Sequence, residues 1–156
     1  MNRRAYRILV IEDNPGDLRL IREAMQFYKI NYSLRHYDTA DAAVQAVHDY
    51  QPAQPDVPDL ILIDYNIPRG DARDVLSAIS ANPALSGIPA AVITSSVSPQ
   101  DREQAMALGA RCFIVKPARL DPFLQQVGST ISDLLGRHPD EMLTEAAPDF
   151  PAGAKP

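Results

Sequence analysis

A single cysteine, Cys112 within "RCFIVK", is all the thiol this 156-residue chain has. No disulfide can form within the chain, and Cys112 reads as a small buried hydrophobe. Positive charge is scarce too: 15 Lys and Arg face 20 Asp and Glu, a formal net charge of −5. That balance excludes a general nucleic-acid binder, which shows a basic stripe or patch. Arg3, Arg4 and Arg7 read as a solvated lead-in. No apolar run approaches the ~18 residues of a membrane span, and no secretory signal opens the chain. A soluble cytoplasmic protein is expected, with neither nucleic acid nor membrane as partner.

What the chain does have is a succession of short apolar runs alternating with helical patterns. "RILVI" (7–11) is continuous and β-branched, the pattern of a strand covered on both faces. After "NPGD", Leu18, Ile21, Ala24, Met25 and Tyr28 recur at helical spacing. "YSLRHY" (32–37) alternates like a strand near an edge, and "TADAAVQAVHDY" (39–50) is helical. The prolines of "QPAQPDVP" (51–58) make a loop. "DLILI" (59–63), "IPAAVIT" (88–94) and "CFIV" (112–115) supply three more strands. Helices are predicted from about Asp71 to Ser80, ended by "ANPALSG", from Ser98-Pro99 to Gly109, and from Asp121-Pro122 to Leu135. Ser98 suits an N-cap and Gly109 a left-handed C-cap. Strict β-α alternation predicts an α/β, flavodoxin-like (βα)5 fold, a doubly wound five-stranded parallel sheet with helices on both faces. The domain is expected over 1–136, and the proline-rich 137–156 reads as a tail.

In such a sheet ligands bind beyond the carboxyl ends of the strands. The first strand ends there in Glu12-Asp13, the third in Asp64 with Asn66 two residues on, the fourth in Thr94-Ser95-Ser96, and the fifth in Lys116-Pro117. Each has a plainer account alone, as turn chemistry, a solvated charge or an ordinary strand residue. Together they place carboxylates, an ammonium and a hydroxyl on one edge. Crowded carboxylates raise one another's pKa unless a cation joins them, and hard oxygen donors suit Mg²⁺. An ionised Asp is a nucleophile towards phosphorus. Lys116, Thr94 and the metal would neutralise the phosphoryl charge.

The segments "ILVIEDNPGDLRLIREA", "PDLILIDYNIPRGDARDVL", "IPAAVITSS" and "LGARCFIVKP" resemble the receiver domain of two-component response regulators, over about residues 6–135. "VIEDNPGD" and the short tail are most similar to small stand-alone regulators paired with phytochrome-type histidine kinases. The resemblance implies Asp64 as the phosphoacceptor, served by a sensor histidine kinase. It implies a Mg²⁺ site made of Asp64, Asp13 directly, Glu12 through water, and the Asn66 carbonyl. Lys116 would pair with the phosphoryl oxygens and precede Pro117 through a cis bond. Thr94 would be the switch hydroxyl and Phe113 the switch aromatic. Such a protein assists its own phosphorylation and dephosphorylation rather than turning over a separate substrate. Its output would be protein–protein, through a homodimer on the helix 4–strand 5–helix 5 face. One departure stands out: the family usually has Gly eight residues after the phosphoacceptor, where this chain has Ala72, with Gly70 two residues earlier. Ala disfavours positive φ, so a different loop is expected.

Other readings stay open. A pseudo-receiver would keep the fold as an interaction module without the chemistry. An Asp-nucleophile phosphatase wants a second acid where Asn66 stands, and a flavin site wants a hydroxyl- and glycine-rich loop where Glu12-Asp13 stands. The uncharged 122–132 carries a core face of Phe123, Val127, Ile131 and Leu134, broadened by Leu120, Leu124, Gly128 and Leu135. The broad stripe is either core covered by the tail, whose Met142, Leu143 and Phe150 could dock, or an association surface.

Overall fold

The computed structural model describes residues 4–137; Arg3 and the tail beyond 137, with Met142, Leu143 and Phe150, lie outside the described residues. Five strands, β1 (Tyr6–Ile11), β2 (Tyr32–Tyr37), β3 (Leu60–Ile63), β4 (Ala90–Thr94) and β5 (Cys112–Val115), alternate with five helices. These are α1 (Pro15–Phe27), α2 (Ala40–Asp49), α3 (Ala72–Ala81), α4 (Pro99–Ala107) and α5 (Leu120–Leu134). All neighbours pair parallel, in the order β2-β1-β3-β4-β5. Among the described residues no helix is long and apolar enough to cross a membrane.

Strand periodicity divides the core in two. Ile8, Val10, Leu60, Leu62, Ala91 and Ile93 point to the face covered by α1 and α5. Leu9, Ile11, Ile61, Ile63 and Val92 point to the face of α2, α3 and α4. Successive strand side chains take opposite faces, so an unbroken apolar run must be covered twice. The chain steps from β1 to β2 on one side and returns to β3 on the other. Right-handed crossovers then put α1 and α2 on opposite faces and leave a crevice at the carboxyl ends of β1 and β3.

The cap residues match the composition of the turns. The side chain of Asn14 accepts from the Asp17 amide ahead of Pro15, that of Thr39 from Ala42, and that of Ser98 from Asp101. Gly109 takes φ +105, as expected of a left-handed C-cap.

Three details differ from expectation, and another decides a reading left open. Pro83–Leu85 forms a 3₁₀ turn inside the segment read as a stop; the Asn82 side chain caps it while donating to the Val47 and Tyr50 carbonyls at 2.8 and 3.1 Å, and Leu85 is buried. Arg4 and Arg7 are not a free lead-in. Arg4 makes two hydrogen bonds to the Asp59 carboxylate at 2.9 and 2.8 Å, and the same carboxylate accepts from the Arg7 amide at 2.7 Å, so Asp59 locks the start of β1 rather than opening β3. Gly128, one of the residues that broaden the α5 stripe, belongs to its core part: it is buried against α1, where an added Cβ would enter the Tyr28 ring and lie 2.9 Å from the Ala24 carbonyl oxygen. Finally, Lys116–Pro117 is trans, a bond type in which the two isomers differ by only about 0.5–1 kcal/mol.

Candidate functional site

Ile11 hands the chain to Glu12, whose side chain is buried, while the Asp64 amide donates to the Ile11 carbonyl at 2.9 Å. That bond sets the ends of β1 and β3 level and brings their carboxylates together. On the far side the Lys116 amide donates to the Thr94 carbonyl at 2.7 Å, levelling β5 with β4. Lys116 then reaches across β4 to Asp64.

Its ammonium makes three hydrogen bonds, to Glu12 Oε1 at 2.8 Å, Asp17 Oδ2 at 2.7 Å and Asp64 Oδ2 at 2.7 Å. An ammonium has three donors, and all are used. Burial pulls Lys116 down, but the bonds from Asp17, Asp64 and Glu12 outweigh it and hold the group above its ordinary value. Glu12 moves the other way in chemical consequence. Burial pushes its carboxyl up to about 7, with help from the Asp64 charge, against hydrogen bonds from Lys116 and the Asn14 amide. Three carboxylates around one ammonium leave an excess of negative charge that a divalent cation would satisfy.

Carboxylate oxygens of Glu12, Asp17 and Asp64 all lie within 4.8 Å of one another. The donor set is oxygen only, which fits a hard cation such as Mg²⁺ and not a soft one. Asp17 was not among the residues anticipated from the strand ends. It sits in the first turn of α1, three residues after the Asn14 cap, and one helical turn carries it back over the end of β1. Its place in "EDNPGD", just after a Pro at the first helical position, is the signal that would have found it.

Of the anticipated residues, Glu12, Asp64 and Lys116 meet directly. Asp13 is exposed and its carboxylate stands outside the trio. The Asn66 amide donates to Asp64 Oδ1 at 3.1 Å, which binds the loop after β3 to the carboxylate. Thr94 is fully buried, its hydroxyl accepting from the Ser96 amide at 3.2 Å. Phe113 is buried, with its ring edge-to-face on Tyr65 at 6.3 Å between centroids. Ala72 needs no positive φ, because Arg69 (φ +63) and Gly70 (φ +130) make the turn and Ala72 is buried at the start of α3.

A strand-end carboxylate gripped by a buried lysine among further acids, on a parallel sheet of order 2-1-3-4-5, defines an α/β signalling domain built to present that carboxylate. The chain belongs to the response regulator receiver domain family, whose model matches residues 8–128. It is similar to response regulator Rcp1 of Synechocystis sp., 33% identical over 123 residues that make up 77% of this chain and 82% of that protein. Among solved structures, the phosphorylated cyanobacterial phytochrome response regulator RcpA is 31% identical, with a TM-score of 0.75 over 85% of this chain and 95% of its own. The Mn²⁺-bound form of Rcp1 is 32% identical, with a TM-score of 0.71 over 83% of this chain and 94% of its own.

Proposed function

We propose that Asp64 accepts a phosphoryl group from the phosphohistidine of a sensor histidine kinase, as a single-domain response regulator, in a Mg²⁺-dependent reaction. The observation that carries this is the Lys116 ammonium 2.7 Å from Asp64 Oδ2 across the carboxyl ends of the sheet. One carboxylate oxygen of Asp64 forms a bond to phosphorus as the phosphorus–nitrogen bond breaks, and the imidazole leaves with its electron pair and takes up a proton. Hydrolysis of the acyl phosphate, assisted by the same site, returns the carboxylate and inorganic phosphate. Asp64, Asp13, the Asn66 carbonyl and Glu12 through water, with Asp17 added from the cluster, would hold Mg²⁺, and the ion would supply charge neutralisation at the phosphoryl oxygens. Lys116, 2.7 Å from Asp64 Oδ2, is placed to pair with the new phosphoryl oxygens. Thr94 turns its hydroxyl from the Ser96 amide to the phosphoryl group, and Phe113 packs behind it.

Similarity to RcpA, a cyanobacterial phytochrome response regulator, supports a phytochrome-type kinase as donor, and we assign the reaction to the cytoplasm. The excess of acidic residues supports an output without nucleic acid. We assign the receiver unit to the expected 1–136 together with Arg137, which folds back onto α1, and treat the residues after it as a tail.

Intact mass after incubation with Mg²⁺ and acetyl phosphate tests the reaction. Wild type should gain one phosphoryl group and Asp64→Asn none; a gain in both would place the phosphate elsewhere. Output is assigned to a homodimer on the α4–β5–α5 face, where Met106, Val115 and Leu120 are 41%, 39% and 50% exposed. Leu120→Arg should lower the sedimentation mass of the phosphorylated protein towards the monomer, and an unchanged mass would remove this face from the interface.

A further inference from the structure

α4 is the helix the core holds least: of its nine residues only Ala105 is buried. Side-chain hydrogen bonds hold it instead, and each begins beside the phosphoacceptor site. Ser96, two residues beyond Thr94, donates to Asp101 Oδ2 at 2.6 Å. Arg102 donates to the Phe113 carbonyl at 3.1 Å and stands 5.8 Å over its ring. Tyr65, the residue after Asp64, donates its hydroxyl to Gln104 Oε1 at 2.8 Å.

The Tyr65 route is the shortest. Its ring is buried against Phe113, and its hydroxyl is a donor to Gln104. The peptide unit joining Tyr65 to Asn66 is held from both ends: the Asn66 amide donates to Asp64 Oδ1 at 3.1 Å, and the Tyr65 carbonyl accepts from the Ala72 amide at 3.1 Å. Phosphorylating Asp64 moves negative charge from the carboxylate to the phosphoryl oxygens. The Asn66 amide then loses a charged acceptor for a weaker one, and the peptide is free to turn with the ring attached. The bond to Gln104 is neutral and its partner only half-buried, so it is the contact that gives way.

We infer that Tyr65 is a positioning residue coupling the state of Asp64 to the seat of α4, its bond to Gln104 holding the helix until Asp64 is phosphorylated. The inference rests on the phosphoacceptor reading above. A contact made in only one of two states shifts the balance between them when removed. Beryllofluoride with Mg²⁺ serves as the phosphoryl mimic, titrated by fluorine NMR into wild type, Tyr65→Phe, Gln104→Leu and the double variant. Each single variant should bind beryllofluoride about five-fold more tightly, the shift one neutral hydrogen bond supports, and the double variant no more tightly than either. Tyr65→Phe keeps the buried ring, so the fold is retained. Amide exchange across 99–107 should quicken on beryllofluoride binding in wild type and be quick without it in Tyr65→Phe. Unchanged or weaker binding in the single variants, or additive gains in the double, overturns the coupling. A wild type that does not bind beryllofluoride overturns the phosphoacceptor reading as well, so the two failures are told apart.

Discussion

Asp17 shows what a single side chain adds at the residue scale. Without it, Lys116 would divide its three donors between Glu12 and Asp64; with it, one ammonium serves a third acid. Removing that charge leaves less attraction for a dication, so Asp17→Asn should weaken Mg²⁺ binding roughly tenfold, read by titration calorimetry. An unchanged affinity would make Asp17 a partner of Lys116 alone. Glu12, Asp64 and Lys116 were legible in the chain because each follows directly on a strand that points it at the crevice. Asp17 was not, since an inventory of strand ends stops before the helix that follows. The Tyr65–Gln104 bond was hidden for another reason: the partners are 39 positions apart and neither is unusual in its own segment. Ala72 shows the reverse case, a visible departure whose consequence was misplaced, because the left-handed turn falls at Arg69 and Gly70 instead.

Among the elements, α5 is held by close packing where α4 is held by side-chain hydrogen bonds. α5 lies against α1 with no spare room, since Gly128 meets the Tyr28 ring and the Tyr28 hydroxyl donates to the Gln125 carbonyl at 3.1 Å. Gly128→Ala should therefore destabilise by about 1–3 kcal/mol through overpacking, despite the better helix propensity of Ala. Urea unfolding checks this, and a stabilised variant would mean that Tyr28 yields without cost. Of the residues that broaden the stripe on α5, Gly128 is buried against α1 while Leu120 stays half exposed. The role of Gly128 as the floor of a notch appears only when the partner ring is in place. The strands were readable almost to the residue, since runs such as "LILI" must be covered on both faces to be stable. The 3₁₀ turn at Pro83–Leu85 was not, because Pro after Asn announces a break equally well whether the chain leaves the core or, as here, drops Leu85 back into it.

For the molecule as a whole, the amino-terminal lock and the carboxyl-terminal lock are both arginines. Burial works to raise the Asp59 carboxyl, but hydrogen bonds from Arg4 and the Arg7 amide outweigh it and hold the group below its ordinary value of 3.8. A depressed native pKa contributes stability that is present above the unfolded value and lost as pH falls through the native one. Asp59→Asn should accordingly be less stable than wild type by about 1 kcal/mol at pH 7. The gap should close as the pH falls below about 4, which denaturant curves across pH 3–7 would show; a constant gap would assign the loss to packing instead. At the other end Arg137 folds back after α5, buried, its amide donating to the Ser132 carbonyl and its guanidinium to the Tyr28 carbonyl, both at 3.0 Å. The last turn of α1 is thus closed by a residue 109 positions later. For anyone trimming this protein or joining it to another, the cut belongs after Arg137 and not at the helix end three residues before: a graft made at Leu134 would discard the clasp that shuts the first helix.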